Sequence, residues 1–108
     1  MIEVRQYIDR FGRSPFDRWF GKLNDDTQAR ITVSLDRLER GNLSAAKGVG
    51  AGVFELRLDF GPGYRVYFGK DGERLVILLG GGTKKRQQGD IEIARALWQE
   101  YRARKKEG

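Results

Sequence analysis

Val53-Phe-Glu-Leu-Arg-Leu-Asp-Phe60, Gly61-Pro-Gly63 and Tyr64-Arg-Val-Tyr-Phe68 read as two strands joined by a turn. Period-two alternation decides it. Phe54, Leu56, Leu58 and Phe60 share one side, and Val53, Glu55, Arg57 and Asp59 share the other. Tyr64, Val66 and Phe68 then alternate with Arg65 and Tyr67. Downstream, Asp71-Gly72 predicts a two-residue hairpin. Leu75 to Leu79 is apolar throughout, the pattern of a central strand buried on both faces, and Gly80-Gly81-Gly82 is expected to end it.

Upstream of this meander, Ile2 to Tyr7 reads as a short strand. Ser14 followed by Pro15 is an N-cap with proline at the first helical position, and the helix it opens is expected to reach Lys22, with Phe16, Trp19 and Phe20 on one stripe. Asn24, Asp25 and Asp26 supply a second N-cap for a helix to about Arg40, which carries Ile31, Leu35 and Leu38 on one face and has Gly41 placed to close it. The small, glycine-rich stretch from Gly41 to Gly52 reads as a loop. At the far end, Asp90 to about Lys105 is an amphipathic helix with Asp90 as N-cap and Ile91, Ala94, Trp98 and Tyr101 on its apolar face. The expected fold is a single α+β domain over residues 1–108. An N-terminal strand and helical hairpin pack on a twisted, mainly antiparallel sheet with a C-terminal helix, the helices together on one side.

Composition narrows the chemistry. The chain has neither cysteine nor histidine, which removes thiolate metal sites, the commonest metal ligand and the commonest general base near neutral pH. No metal and no cofactor is expected. Lys and Arg number 21 against 15 Asp and Glu, for a net charge of +6, and the excess leans toward the C-terminal half. Such a balance suits a polyanionic partner. Met1 to Phe11 lacks the continuous apolar region of a signal peptide, and the longest apolar run is far shorter than a membrane span. The expected location is the cytoplasm, with no membrane partner.

Alternation places Arg57, Arg65, Tyr67 and Glu55 on one sheet face. Arginine is a natural phosphate clamp, because its planar fork matches phosphate oxygens. The same four residues also suit a solvated sheet face with cross-strand ion pairs such as Glu55 with Arg65. Lys84, Lys85 and Arg86 follow the glycines at the end of the last strand, as a phosphate-binding loop or as a solvated basic turn. Asp90 serves as a helix cap or as a base near those cations. The basic run Arg102, Arg104, Lys105 and Lys106 suits a helix C-terminus as well as RNA. Trp19 and Trp98 read as packing residues.

Several of these segments together resemble the RelE/ParE toxin superfamily, in particular its HigB-like branch of phage-derived addiction module killer proteins. They are Gly48-Val-Gly-Ala-Gly-Val-Phe-Glu-Leu-Arg57, Gly63-Tyr-Arg-Val-Tyr-Phe68, Val76-Ile-Leu-Leu-Gly-Gly-Gly-Thr-Lys-Lys85 and Gln88-Gly-Asp-Ile-Glu-Ile-Ala94. The resemblance covers nearly the whole chain. It implies the toxin of a type II toxin–antitoxin module, inhibited by a helix-turn-helix antitoxin and reaching operator DNA through it. It implies a metal-independent endoribonuclease that cuts mRNA on the ribosome. Arg57, Arg65, Lys84 and Lys85 match the family's basic site residues. Arg57, Arg65, Lys84, Lys85 and Arg86 are the expected RNA contacts, and Lys84, Tyr67 and Glu55 are at hand to move protons. Many ribosome-dependent members carry a histidine or tyrosine near the last strand or the chain end. Here there is no histidine, and residues 80–100 hold no tyrosine. A ParE-like gyrase poison and an inactive antitoxin-binding relic therefore stay open.

Overall fold

A computed structural model describes residues 1–107. The chain runs β1 (Glu3–Gln6), α1 (Pro15–Phe20), α2 (Asp25–Glu39), β2 (Ala46–Gly50), β3 (Val53–Leu58), β4 (Tyr64–Lys70), β5 (Leu75–Thr83), a 3-10 turn (Lys84–Arg86) and α3 (Gln87–Glu107). This is an α+β fold on one five-stranded sheet of order β1-β5-β4-β3-β2. β2 to β5 form an antiparallel meander, and β1 joins β5 in parallel.

The helix starts follow local capping chemistry. Ser14 Oγ accepts the Asp17 amide at 3.0 Å and Asn24 Oδ1 accepts the Thr27 amide at 2.9 Å, each satisfying a donor the helix cannot. Gly41 follows α2 with a φ of +90°, as a closing glycine should.

Four expectations about the sheet and its cover need correction. The segment 41–52 is not all loop: Ala46–Gly50 pairs with β3 as an edge strand. Its glycines and alanines carry too little apolar pattern to announce a strand; pairing with a strongly alternating neighbour forms it. The Asp71-Gly72 connection is longer than two residues, because β4 ends at Lys70, β5 begins at Leu75, and the Asp71 amide donates to Leu75 O at 2.8 Å. Gly80, Gly81 and Gly82 do not end the last strand. They lie inside β5, opposite Tyr67, Val66 and Arg65. Finally, the helices are not on one side.

That last correction decides the architecture. Phe16, Ile31, Leu38, Leu56, Leu58, Val66, Phe68, Val76 and Leu78 form one core between α1, α2 and the sheet. Tyr7, Val53, Tyr67, Ile77, Leu79, Ile91, Ala94 and Trp98 form a second, between the opposite face and α3. The uniformly apolar Val76 to Leu79 fits this arrangement, since neither face of β5 meets water. α3 is also tied to β2, through Arg95 donating to Val49 O. The polar side of β3 and β4 is thus a covered face with an open end.

Candidate functional site

Glu55 lies at that open end and has no exposed surface. Its Oε1 accepts from Arg57 Nε at 2.9 Å and stands 3.0 Å from Arg65 Nε. Gln87, in the first turn of α3, donates its amide to Oε1 at 3.1 Å and Oε2 at 2.8 Å. Register explains the grouping, because Arg57 faces Arg65 across β3 and β4, and Glu55 faces Tyr67. A carboxylate removed from water is costly unless paired and hydrogen-bonded, and here it is both.

The two arginines are held differently. Arg65 is almost fully buried, with Nη1 donating to Gly63 O at 3.1 Å and Nε close to Glu55 but poorly aimed for a hydrogen bond. Arg57 keeps 45% of its side chain exposed while its Nε is anchored. Its free guanidinium edge can meet a ligand, with its orientation already set. Beyond it lies a groove of about 430 Å³ that also takes in Arg30, Arg37 and Phe60.

Lys84 comes to the same corner. A Cβ on Gly63 would stand 3.2 Å from Lys84 Cβ and 3.5 Å from Arg65 Nη1, so the glycine, at φ +76°, sits between the Arg65 guanidinium and the stem of Lys84. Lys85 is exposed in the same 3-10 turn. Arg86 faces another way and borders a basin with Arg13, Arg18, Lys22 and Trp19. The structure therefore brings Arg57, Arg65 and Lys84 together, with Lys85 adjoining, and separates Arg86 from them.

Tyr67 is 1% exposed, buried beneath α3, and its hydroxyl has no partner. Burial first, then the Glu55 and Asp90 charges, push its phenol from 10.0 up to about 12. It holds its proton firmly and stands away from the open surface. Asp90 is not the cap of the last helix, since α3 begins at Gln87 and Asp90 lies within its first turn. Burial pushes its carboxyl above the usual range, opposed by Arg86. The glycines of β5 make room for these groups. A Cβ on Gly82 would come within 2.0 Å of Asp90 Oδ2, and one on Gly81 within 2.3 Å of the Trp19 ring.

Two participants carried no legible signal. Gln87 is a lone amide 32 residues from its partner Glu55. The gathering of Arg13, Arg18 and Lys22 around Trp19 depends on how α1 lies beside the 3-10 turn. Among the described residues no three metal-ligating side chains cluster, and no helix is long and apolar enough to cross a membrane.

The mixed five-stranded sheet with its C-terminal helix is compatible with a RelE-like fold. Residues 18–99 match the family described as Phage derived protein Gp49-like (DUF891), and the chain belongs to that family, a RelE/ParE-like toxin family. An uncharacterized protein of Haemophilus influenzae is 48% identical over 86 residues, covering 79% of this chain and 87% of the relative. Members of the Gp49-like family are commonly toxins of toxin–antitoxin modules, usually paired with an antitoxin.

Proposed function

We propose that this single-domain protein is a HigB-like toxin that cuts mRNA on the ribosome without a metal or cofactor. The observation that supports it best is the Glu55-backed pair of Arg57 and Arg65 beside Lys84. Cleavage by an internal 2′-hydroxyl forms a bond from that oxygen to phosphorus and breaks the bond to the 5′ oxygen. The 2′ proton is removed and the leaving oxygen gains one. Negative charge builds on the phosphate in between. Arg57, Lys84 and Lys85 meet that charge from the open side, with the buried Arg65 behind them, and the two guanidiniums are preorganised rather than recruited. Lys84 is the amine we assign to moving a proton. The ribosome supplies the alignment of the RNA strand. A helix-turn-helix antitoxin would cover this face in the cytoplasm and carry the pair to operator DNA.

A second reading draws on the burial of Tyr67, which keeps one proton carrier away from the open Arg57 end. It makes the chain a binding poison, such as a ParE-like gyrase inhibitor. A relic that only binds antitoxin is the third. Mapping mRNA ends after induction, beside Arg57→Ala, separates them. New cuts inside translated regions, lost in the variant, support the nuclease. Arrest with intact mRNA overturns it in favour of the poison, and no arrest points to the relic.

A further inference from the structure

β1 follows β5 only as far as Leu78, so the rest of that edge is left unpaired between α1 and α3. A cavity of about 150 Å³ lies there, lined by Pro15, Trp19, Tyr67, Gly80, Asp90 and Ile93 among others. Tyr67 and Asp90 line this cavity, and the Tyr67 hydroxyl and Asp90 Oδ2 are buried without a hydrogen-bond partner. One is a donor and the other an acceptor, and a buried polar atom left unpaired is costly. Ile93, otherwise unexplained as a 60% exposed apolar side chain, stands at the rim.

Trp19 divides this cavity from a basin of about 410 Å³ that gathers Arg13, Arg18, Lys22 and Arg86. Among the described residues, none of these four cations forms an ion pair. The basin's one carboxylate, Asp9, is taken up by the Phe11 and Arg13 backbone amides, each at 2.9 Å. Unpaired cations thus stand beside an aromatic ring, and behind the ring a donor and an acceptor are both unused.

We propose that the α1–α3 seam is a nucleotide subsite, in which the basin holds an RNA phosphate and the cavity takes the edge of a base. Every base edge carries a donor and an acceptor side by side, which Asp90 and Tyr67 answer in turn. Trp19 and Ile93 supply the flat apolar contact that a base face seeks. The subsite lies one strand pairing from Arg65, since Gly82 faces Arg65 and touches Asp90. It deepens the reading of RNA as substrate and rests on it for its biological use, but its binding is measured separately.

The test is a fluorescence titration of the full chain with 5′-AMP, 5′-CMP and ribose 5-phosphate, following tryptophan emission, with Trp19→Phe as the control that leaves only the buried Trp98. The nucleotides are expected to quench saturably at concentrations about ten-fold below ribose 5-phosphate. Tyr67→Phe and Asp90→Asn each weaken nucleotide binding about five-fold and leave ribose 5-phosphate unchanged. Arg18→Ala and Lys22→Ala weaken all three ligands. Circular dichroism checks that each variant is folded, and the Arg18 and Lys22 changes are at exposed positions. No saturable quench, equal binding of ribose 5-phosphate, or indifference to both Tyr67→Phe and Asp90→Asn overturns the subsite and leaves the cavity to water. Nucleotide binding by a chain that cuts no mRNA would sink the nuclease and spare the subsite; cutting without quench would do the reverse.

Discussion

The Gln87 amide donates to both carboxylate oxygens of Glu55, at 3.1 and 2.8 Å, and so fastens the first turn of α3 to β3. The same carboxylate holds Arg57 and Arg65. One buried anion therefore sets both the seat of the helix and the aim of two guanidiniums.

Glu55→Ala is expected to be among the most damaging single changes. It leaves Arg65 buried without its counter-charge, a loss of about 3–5 kcal/mol when one partner of a buried pair is removed. Glu55→Gln keeps the shape and should cost less. Urea unfolding midpoints of the two variants check this, and equal midpoints with the parent would refute it.

Arg57 and Arg65 separate stability from activity. Arg57→Ala removes a half-exposed guanidinium, so its unfolding midpoint should stay near the parent's while mRNA cutting falls by about a hundred-fold. Arg65→Ala should lower both, because Arg65 is buried against Glu55. Unchanged cutting in folded Arg57→Ala would remove that residue from the site.

The glycines give predictions of opposite sign. Gly81→Ala and Gly82→Ala put a methyl into Trp19 and Asp90, and each should lose about 1–3 kcal/mol or more to overpacking. Gly89 lies inside α3, at ordinary φ, with open space where a Cβ would stand. Gly89→Ala should raise stability by about 0.5–1 kcal/mol. Thermal unfolding of the three variants decides both signs.

Stability should fall at both ends of the pH scale. Lys105 donates to both oxygens of Asp71 at 2.7 Å and Tyr101 to Oδ2 at 2.6 Å. The Lys105 bond first, then that of Tyr101, hold the Asp71 carboxyl below its ordinary 3.8. A carboxyl lowered on folding contributes stability that is present above 3.8 and is lost as pH falls through the lower folded value. Burial and the Asp71 bond raise Tyr101 from 10.0 to about 12, and a raised phenol contributes stability that is present below 10.0 and lost as pH climbs toward 12. Asp71→Asn should flatten the acid limb of a midpoint-against-pH curve, and Tyr101→Phe the alkaline limb. Limbs that keep the parent's slopes would contradict the assignment.

The helix caps at Ser14 and Asn24, the alternation of β3 and β4 and the apolar face of α3 were all readable, because each is a local pattern within a few residues. So was the sharing of one face by Glu55, Arg57, Arg65 and Tyr67, since pleating fixes it. What covers that face was not readable. Alternation says which residues point the same way but not whether water or a helix lies over them, and α3 buries Tyr67 while Arg57 stays at the margin.

The chain's own patterning thus determined every strand and helix but β2, their order, the basic residues of the open end and the resemblance those residues carry. Only the tertiary structure decided that the helices lie on both faces and that Gly80 to Gly82 are strand, giving way to Trp19 and Asp90. It also decided that Glu55 is a buried hub rather than a free proton carrier. The physical reason is range. Propensity, capping and period act between neighbours in the chain, whereas the burial of a charge, the space beside a glycine and the reach of Gln87 to Glu55 depend on residues that only packing brings together.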